Sequence, residues 1–191
     1  ATSMVRLGSA KITYKDKTFK DDRFILVDPN FFSIFTLPMI EGDAKTALLR
    51  PHTVVITKST ARKYFGREDA MGKLLSFNNN DETYQVTGVI EDVPSNSHFH
   101  FDMFGSMTGW EPANSDSWMY GNFYTYLLLK PGTDYKKMEA RLPAMVAKYM
   151  GPQIKQQMGL SLAQFRTKGN SLGFALQPLT SIHLSSHTSN E

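Results

Sequence analysis

"TVVITKSTARKYFG", residues 53–66, is the stretch on which the fold turns. Thr53–Thr57 is a run of β-branched residues, the composition of a strand that packs well on a pleated surface. Ser59 is a good helix N-cap, "TARKYF" follows as a short helix, and Gly66 stops it. The stretch therefore predicts a strand, a turn and a helix in immediate succession. Downstream, "KLLSFNNNDETYQVTGVIEDV" (73–93) predicts two strands around an Asn-rich turn. Upstream, "SMVRLGSAKITYKDKTFKDDRFILVD" (3–28) alternates apolar and polar residues from Lys11 to Tyr14 and again toward Val27, the pattern of strands joined by polar turns. Asp28-Pro29-Asn30 introduces "FFSIF", a short apolar helix or turn that ends before Pro38 and is closed by Gly42-Asp43.

The second half of the chain is mixed. A Gly/Pro/Ser/Asn-containing loop from Ser106 to Asn122 holds both tryptophans, Trp110 and Trp118, and leads into a strand "FYTYLLLK" (123–130). Met138, Leu142, Met145, Val146, Tyr149 and Met150 recur at helical spacing, with Asp134 as a cap and Pro143 predicting a kink or a late start. Those methionines read as core. Gln153–Phe165 predicts a further helix, and "GFALQPLTSIHL" (173–184) a closing strand bent at Pro178. Strands and helices intermix throughout, so the expected class is α/β, or α+β with a mixed sheet.

Composition limits the chemistry. The 191 residues are 41% hydrophobic and 20% charged, which is ordinary globular composition and enough for an ample core. Lys plus Arg number 21 against 18 Asp plus Glu, and no basic run exceeds two residues, so no nucleic-acid surface is expected. Cysteine is absent, which removes disulfides, thiolate metal sites and cysteine nucleophiles. No apolar run approaches the roughly 18 residues that a membrane helix needs. Ala1 is not an initiator methionine and no signal peptide precedes it, so the chain reads as a piece of something longer.

Motif chemistry is sparse. "GREDAMGKLL" (66–75) has five residues between Gly66 and Gly72 where a phosphate loop needs four, and Leu74 where it needs Ser or Thr. No G-x-S-x-G elbow occurs, and the adjacent Glu91 and Asp92 face opposite sides of any strand. One stretch offers metal chemistry: "PSNSHFHFD" (94–102) sets His98, His100 and Asp102 at every second position, so in a strand they would share one face and could serve as ligands of a hydrolytic metal. The same alternation sends Phe99, Phe101 and Met103 to the other face. That is the pattern of a half-buried strand with a wet outer side, and it is the preferred reading.

Taken in order, "VDPNFFSIFTLPMIEGDAKTAL", "TVVITKSTARKYFGREDAMGKLL", "YQVTGVIEDVPSNSHFHFDM" and "LQPLTSIHL" resemble the MacB-type periplasmic core domain of bacterial ABC transporter permeases of the MacB/FtsX type. The variant with "P-x-N-S-H-x-x-F-D" and a closing "L-x-x-I-H-L" is most similar to permeases of Bacteroidetes. The resemblance implies a single extracytoplasmic domain over 1–191, with a porter-like α/β lobe built from 1–43 and 98–191 and an inserted, mainly β lobe over 44–97. It implies a place on the periplasmic side of the inner membrane, no cofactor and no catalysis of its own. The implied partners are the transmembrane helices of the same permease chain, a cytoplasmic ABC ATPase subunit, a second permease domain or protomer, and in some systems a periplasmic adaptor. Asn96, Ser97, His98, Phe101 and Asp102 match the first motif and Ile182, His183 and Leu184 the second, as structural positions. His100 stands at a variable place.

Two alternatives belong to other classes. One is a metal-dependent hydrolase on His98, His100 and Asp102. The other is a free-standing peptide-binding module whose aromatic surface is Trp110, Trp118, Phe123, Tyr124 and Tyr126.

Overall fold

The structure is a computed structural model that describes residues 1–21, 23–78 and 82–182. Three short strands lie at its centre: β4 (Phe24–Val27), β6 (Thr53–Thr57) and β9 (Met103–Ser106), with every residue buried. A strand covered on both faces needs side chains that can be buried at every position: "FILV" is apolar throughout, and in "TVVIT" the hydroxyls of Thr53 and Thr57 are satisfied by the Arg50 carbonyl and the Thr60 hydroxyl. Around these run β1 (Thr2–Val5), β2 (Ala10–Tyr14), β3 (Lys17–Asp21), β5 (Met39–Gly42), β7 (Leu74–Phe77), β8 (Glu82–Ile90) and β10 (Phe123–Tyr126). The ten form one sheet in the order β10-β1-β4-β9-β6-β8-β7-β2-β3, with β5 also paired to β8. β4 runs parallel to β9 and β6 parallel to β8, while β6 and β9 are antiparallel, so the sheet is mixed.

Alternation along the central strands divides the apolar residues between two cores. Phe24 and Leu26, Val54 and Ile56, and Met103 face a core closed by Tyr64 and Phe65 from α2 (Lys58–Phe65). Ile25 and Val27, Val55, and Phe104 face a second core closed by Phe31 and Phe32 from α1 (Phe31–Ile34) and by Ala47 and Leu48.

β6 passes into α2 with no intervening loop. The cap is Thr57, not Ser59: its extended backbone lets the Thr57 hydroxyl accept from the Thr60 amide at 3.3 Å. Gly66 ends α2 at φ +67°, as its residue type suggests. The Asn-rich turn lies partly outside the described residues, and the two strands it joins, β7 and β8, form as expected.

The expected inserted lobe over 44–97 does not separate from the rest. Its strands β6, β7 and β8 are interior members of the sheet, and β6 hydrogen-bonds to β9 from the downstream segment. The chain divides elsewhere, into one unit of Ala1–Asn114 with Asn122–Leu128 and another of Ser115–Gly121 with the described residues of Leu129–Glu191.

The second unit is helical. Asp134 caps α3 (Tyr135–Glu139) by accepting from the Lys136 and Lys137 amides. Pro143 occupies the first turn of a new helix, α4 (Leu142–Met158), where its missing N–H costs nothing. Val146, Met150 and Ile154 form the buried stripe of α4 at i, i+4 and i+8. The single helix expected over 153–165 is instead broken at Gly159, which is left-handed at φ +68°. α5 (Leu162–Thr167) restarts behind a Ser161/Gln164 capping box. No strand forms over the described part of 173–184. The Leu176 amide donates to the Glu139 carboxylate at 2.7 Å, and a 3-10 turn follows at Leu179–Ser181. Among the described residues no helix is long and apolar enough to cross a membrane.

Gly105 faces the α2-side core, where a Cβ would lie 2.7–2.9 Å from the Phe24 ring and the Leu26 methyl. Gly105→Ala is expected to destabilise the protein by ~1–3 kcal/mol in chemical denaturation, as overpacking does. Gly121→Ala, with nothing within 4 Å of its Cβ, should stay within ~0.5 kcal/mol.

Candidate functional site

Residues 94–102 are irregular, not a strand, and β9 begins only at Met103. A turn closes with the Ser97 amide donating to the Pro94 carbonyl at 2.9 Å, and the Ser97 hydroxyl accepts from the Phe99 amide at 3.4 Å. Asn96 is exposed in that turn. Without strand geometry the every-second-residue alternation is lost. Phe99, only 6% exposed, inserts among Phe31, Phe35 and Phe104 with ring centroids 5.7, 5.2 and 6.3 Å away. Phe101 stacks on Phe99 and packs against the same core, whereas Met103 turns into the opposite core.

The three metal candidates point to different partners. His98 Nε2 lies 2.6 Å from the Tyr126 hydroxyl on β10. His100 is exposed, and its carbonyl accepts from Arg23 Nε at 3.1 Å. The Asp102 carboxylate meets the Arg23 guanidinium at 2.9 Å, the Asp102 amide donates to the Arg23 carbonyl, and the Asp102 carbonyl accepts from the Thr57 amide. Arg23 thus grips both sides of the approach to β9, and Asp102 joins β4 to the end of β6. Among the described residues no group of three His, Asp or Glu side chains is placed to hold a metal ion. Of the second motif, Ile182 is half-buried beside the final 3-10 turn; His183 and Leu184 lie outside the described residues.

The aromatic candidates divide between the two units. Trp110 is half-buried against the α2-side core, edge-on to Phe123 at 6.0 Å. Tyr126 packs on Phe35 and holds His98, while Tyr124 is the exposed aromatic residue of β10. Trp118 belongs to the helical unit, where it stacks on Tyr149 at 4.5 Å and 10° between planes. Its amide donates to Gln153 Oε1, and Gln153 Nε2 donates to the Asp116 carbonyl, both at 2.8 Å.

Two polar arrangements on the α2 side have no local signature in the sequence. Asp92 occupies the start of α2, accepting from the Ser59 amide at 2.9 Å and the Ser59 hydroxyl at 2.5 Å. A carboxylate there satisfies otherwise orphaned helix donors and complements the helix dipole. The 33-residue separation hides this pair, but the parallel register that sets Thr57 beside Ile90 carries Ser59 to Asp92. At the far end of the helix, Glu68 receives Lys15, Lys73 and the Tyr14 hydroxyl. Hydrogen bonding, from Lys15 above all, holds its carboxyl down at about 2. Between these runs an open cleft of about 450 Å³, lined by Ala61, Ala70, Val89 and Ile40 and by Arg62 and Arg67.

A double-mutant cycle of His98→Ala and Tyr126→Phe should give a coupling of ~0.5–1.5 kcal/mol in denaturant melts. The Ser59 hydroxyl, with help from its amide, lowers the Asp92 carboxyl below its ordinary value. The stability it supplies is therefore complete above pH ~4 and lost as the pH falls further. Asp92→Asn should lower Tm at pH 7 and flatten that acid limb, read by calorimetry from pH 7 to 2.

Residues 1–145 match the family model described as the MacB-like periplasmic core domain. Among solved structures, a domain of a Porphyromonas gingivalis protein described as a permease shares 31% identity at a TM-score of 0.67, the match covering 78% of this chain and 69% of that one. The periplasmic region of MacB from Actinobacillus actinomycetemcomitans shares the fold at 15% identity and a TM-score of 0.52, over 91% of this chain and 77% of that one. Part of each relative thus lies outside the match. No curated protein matches the chain.

Proposed function

Because this chain belongs to the MacB-like periplasmic core domain family of ABC transporter permeases, we propose that it is a non-catalytic relay, coupling ATP hydrolysis in the cytoplasm to export or mechanical signalling outside the inner membrane. In this reading it stands on the periplasmic side, between membrane-spanning helices of its own permease chain. A cytoplasmic ABC ATPase subunit drives it, a second permease protomer faces it, and a periplasmic adaptor is a further partner.

The observation that carries the reading is the sheet. Ten strands joined edge to edge, with β4, β6 and β9 buried on both faces, make a body that resists internal shear. Such a body can pass on a displacement applied at its base. The polar residues of the 94–102 motif support the same reading. His98 is engaged with Tyr126 and Asp102 with Arg23, so both act as fastenings of that body. The hydrolase alternative would need those groups directed at one ion.

The test uses the intact permease with its ATPase in lipid nanodiscs. Spin labels at Lys20 and Tyr124 report distances within one domain, and the Lys20 labels of two protomers report distances between domains. ATP trapping is expected to change the distance between domains by several ångströms and to leave the distance within one unchanged. An unaltered distance between domains, or a gene without membrane-spanning segments flanking these residues, would overturn the relay. Stoichiometric zinc that survives dialysis and is lost in His98→Ala would favour the hydrolase.

A further inference from the structure

The positive charge of the chain is not evenly shared. Ser115–Gly121 with Leu129–Glu191 holds eight Lys or Arg against four Asp or Glu, whereas the remainder, which contains the sheet, holds 13 against 14. In that remainder several lysines are matched to carboxylates: Lys15 and Lys73 meet Glu68, and Lys58 meets Glu91. The helical unit differs most along α4, which contains no acidic residue.

Arg141, Lys148 and Lys155 recur at intervals of seven, two helical turns, so they lie on one face about 10 Å apart. Arg141 belongs to the row although it is the cap residue, because its backbone is already helical at φ −88° and ψ −18°. The row runs opposite the buried stripe of Val146, Met150 and Ile154, and all three basic residues are exposed. Among the described residues none of them forms an ion pair. The Lys148 ammonium sits 4.9 Å from the centre of the Tyr149 ring. The exposed residues that border the row are Ala144 and Pro152.

This face suits one kind of partner. A protein interface is anchored by large side chains seated in well-packed pockets, and a row of charges bordered by small residues offers no such anchor. A plane of phosphate headgroups asks only for cations at its surface and imposes no register. Long Lys and Arg side chains reach such a plane from the convex side of a helix.

We propose that the outer face of α4 rests against an anionic phospholipid bilayer, with Arg141, Lys148 and Lys155 at the level of the headgroup phosphates. The inference goes beyond the relay but rests on the same reading of the chain as part of a permease, which brings a bilayer within reach. Each basic residue near an anionic bilayer favours the docked state by about fivefold, so the three together favour it by about a hundredfold. Lys148 and Lys155 lie past residue 145, so the row is a feature of this chain beyond the part that the family model describes.

The test uses the intact permease in nanodiscs of phosphatidylglycerol or of phosphatidylcholine. The 191 residues have no cysteine, so with any others in the permease replaced, Ala144→Cys places a single fluorophore within the row. Lipids bearing a nitroxide on the headgroup quench it on contact. Quenching is expected to be roughly threefold greater in phosphatidylglycerol and to fall to the phosphatidylcholine level at high salt, which screens exposed charges. The triple variant Arg141→Gln, Lys148→Gln, Lys155→Gln should show the same fall with an unchanged melting temperature, and the salt arm decides the matter without any change to the row should that variant fold poorly. Equal quenching in the two lipids, or a difference that survives high salt, overturns the bilayer contact and leaves the permease reading intact. Absence of quenching in both lipids, with photo-crosslinks from position 144 to another polypeptide, overturns it in favour of an acidic protein partner. A gene without membrane-spanning segments would remove both this contact and the relay.

Discussion

The structure depends on how β6 is held. It lies between β8, to which it runs parallel, and β9, to which it runs antiparallel, so both of its edges are paired with other strands. Its side chains enter both cores, Val54 and Ile56 on one face and Val55 on the other. Once β6 is placed, α2 must start directly at its end, because Thr57 is at once the last strand residue and the helix cap. The same register brings Asp92 to the helix start and the Asp102 carbonyl to the Thr57 amide. A displaced β6 would cost hydrogen bonds on both edges, packing on both faces and the cap together.

The 94–102 motif works from the other side of the sheet. It crosses from β8 to β9 without strand geometry, inserts Phe99 into an aromatic cluster built mainly on α1, and ties that cluster to the edge strand β10 through His98 and Tyr126. Arg23 anchors its end through both backbone and side chain. The pair of Arg23 with Asp102 is half-exposed on the arginine side, so its contribution is modest, and the buried phenylalanines carry most of the stabilisation. Conformational freedom in this segment is limited at three points spread over nine residues.

Much of the architecture was legible in the residues. "TVVIT" announced a strand by its β-branched residues, Gly66 marked a helix stop, and Asp134 and Pro143 marked helix starts. Where expectation and structure part, the cause lies in a partner distant in sequence. Ser59 resembled a cap by type, but Asp92 claims it. "FYTYLLLK" has no internal stop, but β1 pairs with only its first four residues. His98, His100 and Asp102 had the spacing of one strand face, but Phe99 is drawn into the α1 cluster and the segment leaves strand geometry.

Local composition and periodicity therefore determined the strands and helices from Thr53 to Ile90 and the starts of α3 and α4, and the ordered motifs determined the family. These depend on backbone preferences and side-chain volume, which each residue carries wherever it is placed. The tertiary structure alone decided the strand order, the absence of a boundary around 44–97, and the partners of His98, Asp92 and Asp102. Those outcomes depend on register between segments tens of residues apart, where one residue of slip would turn every side chain to the opposite face.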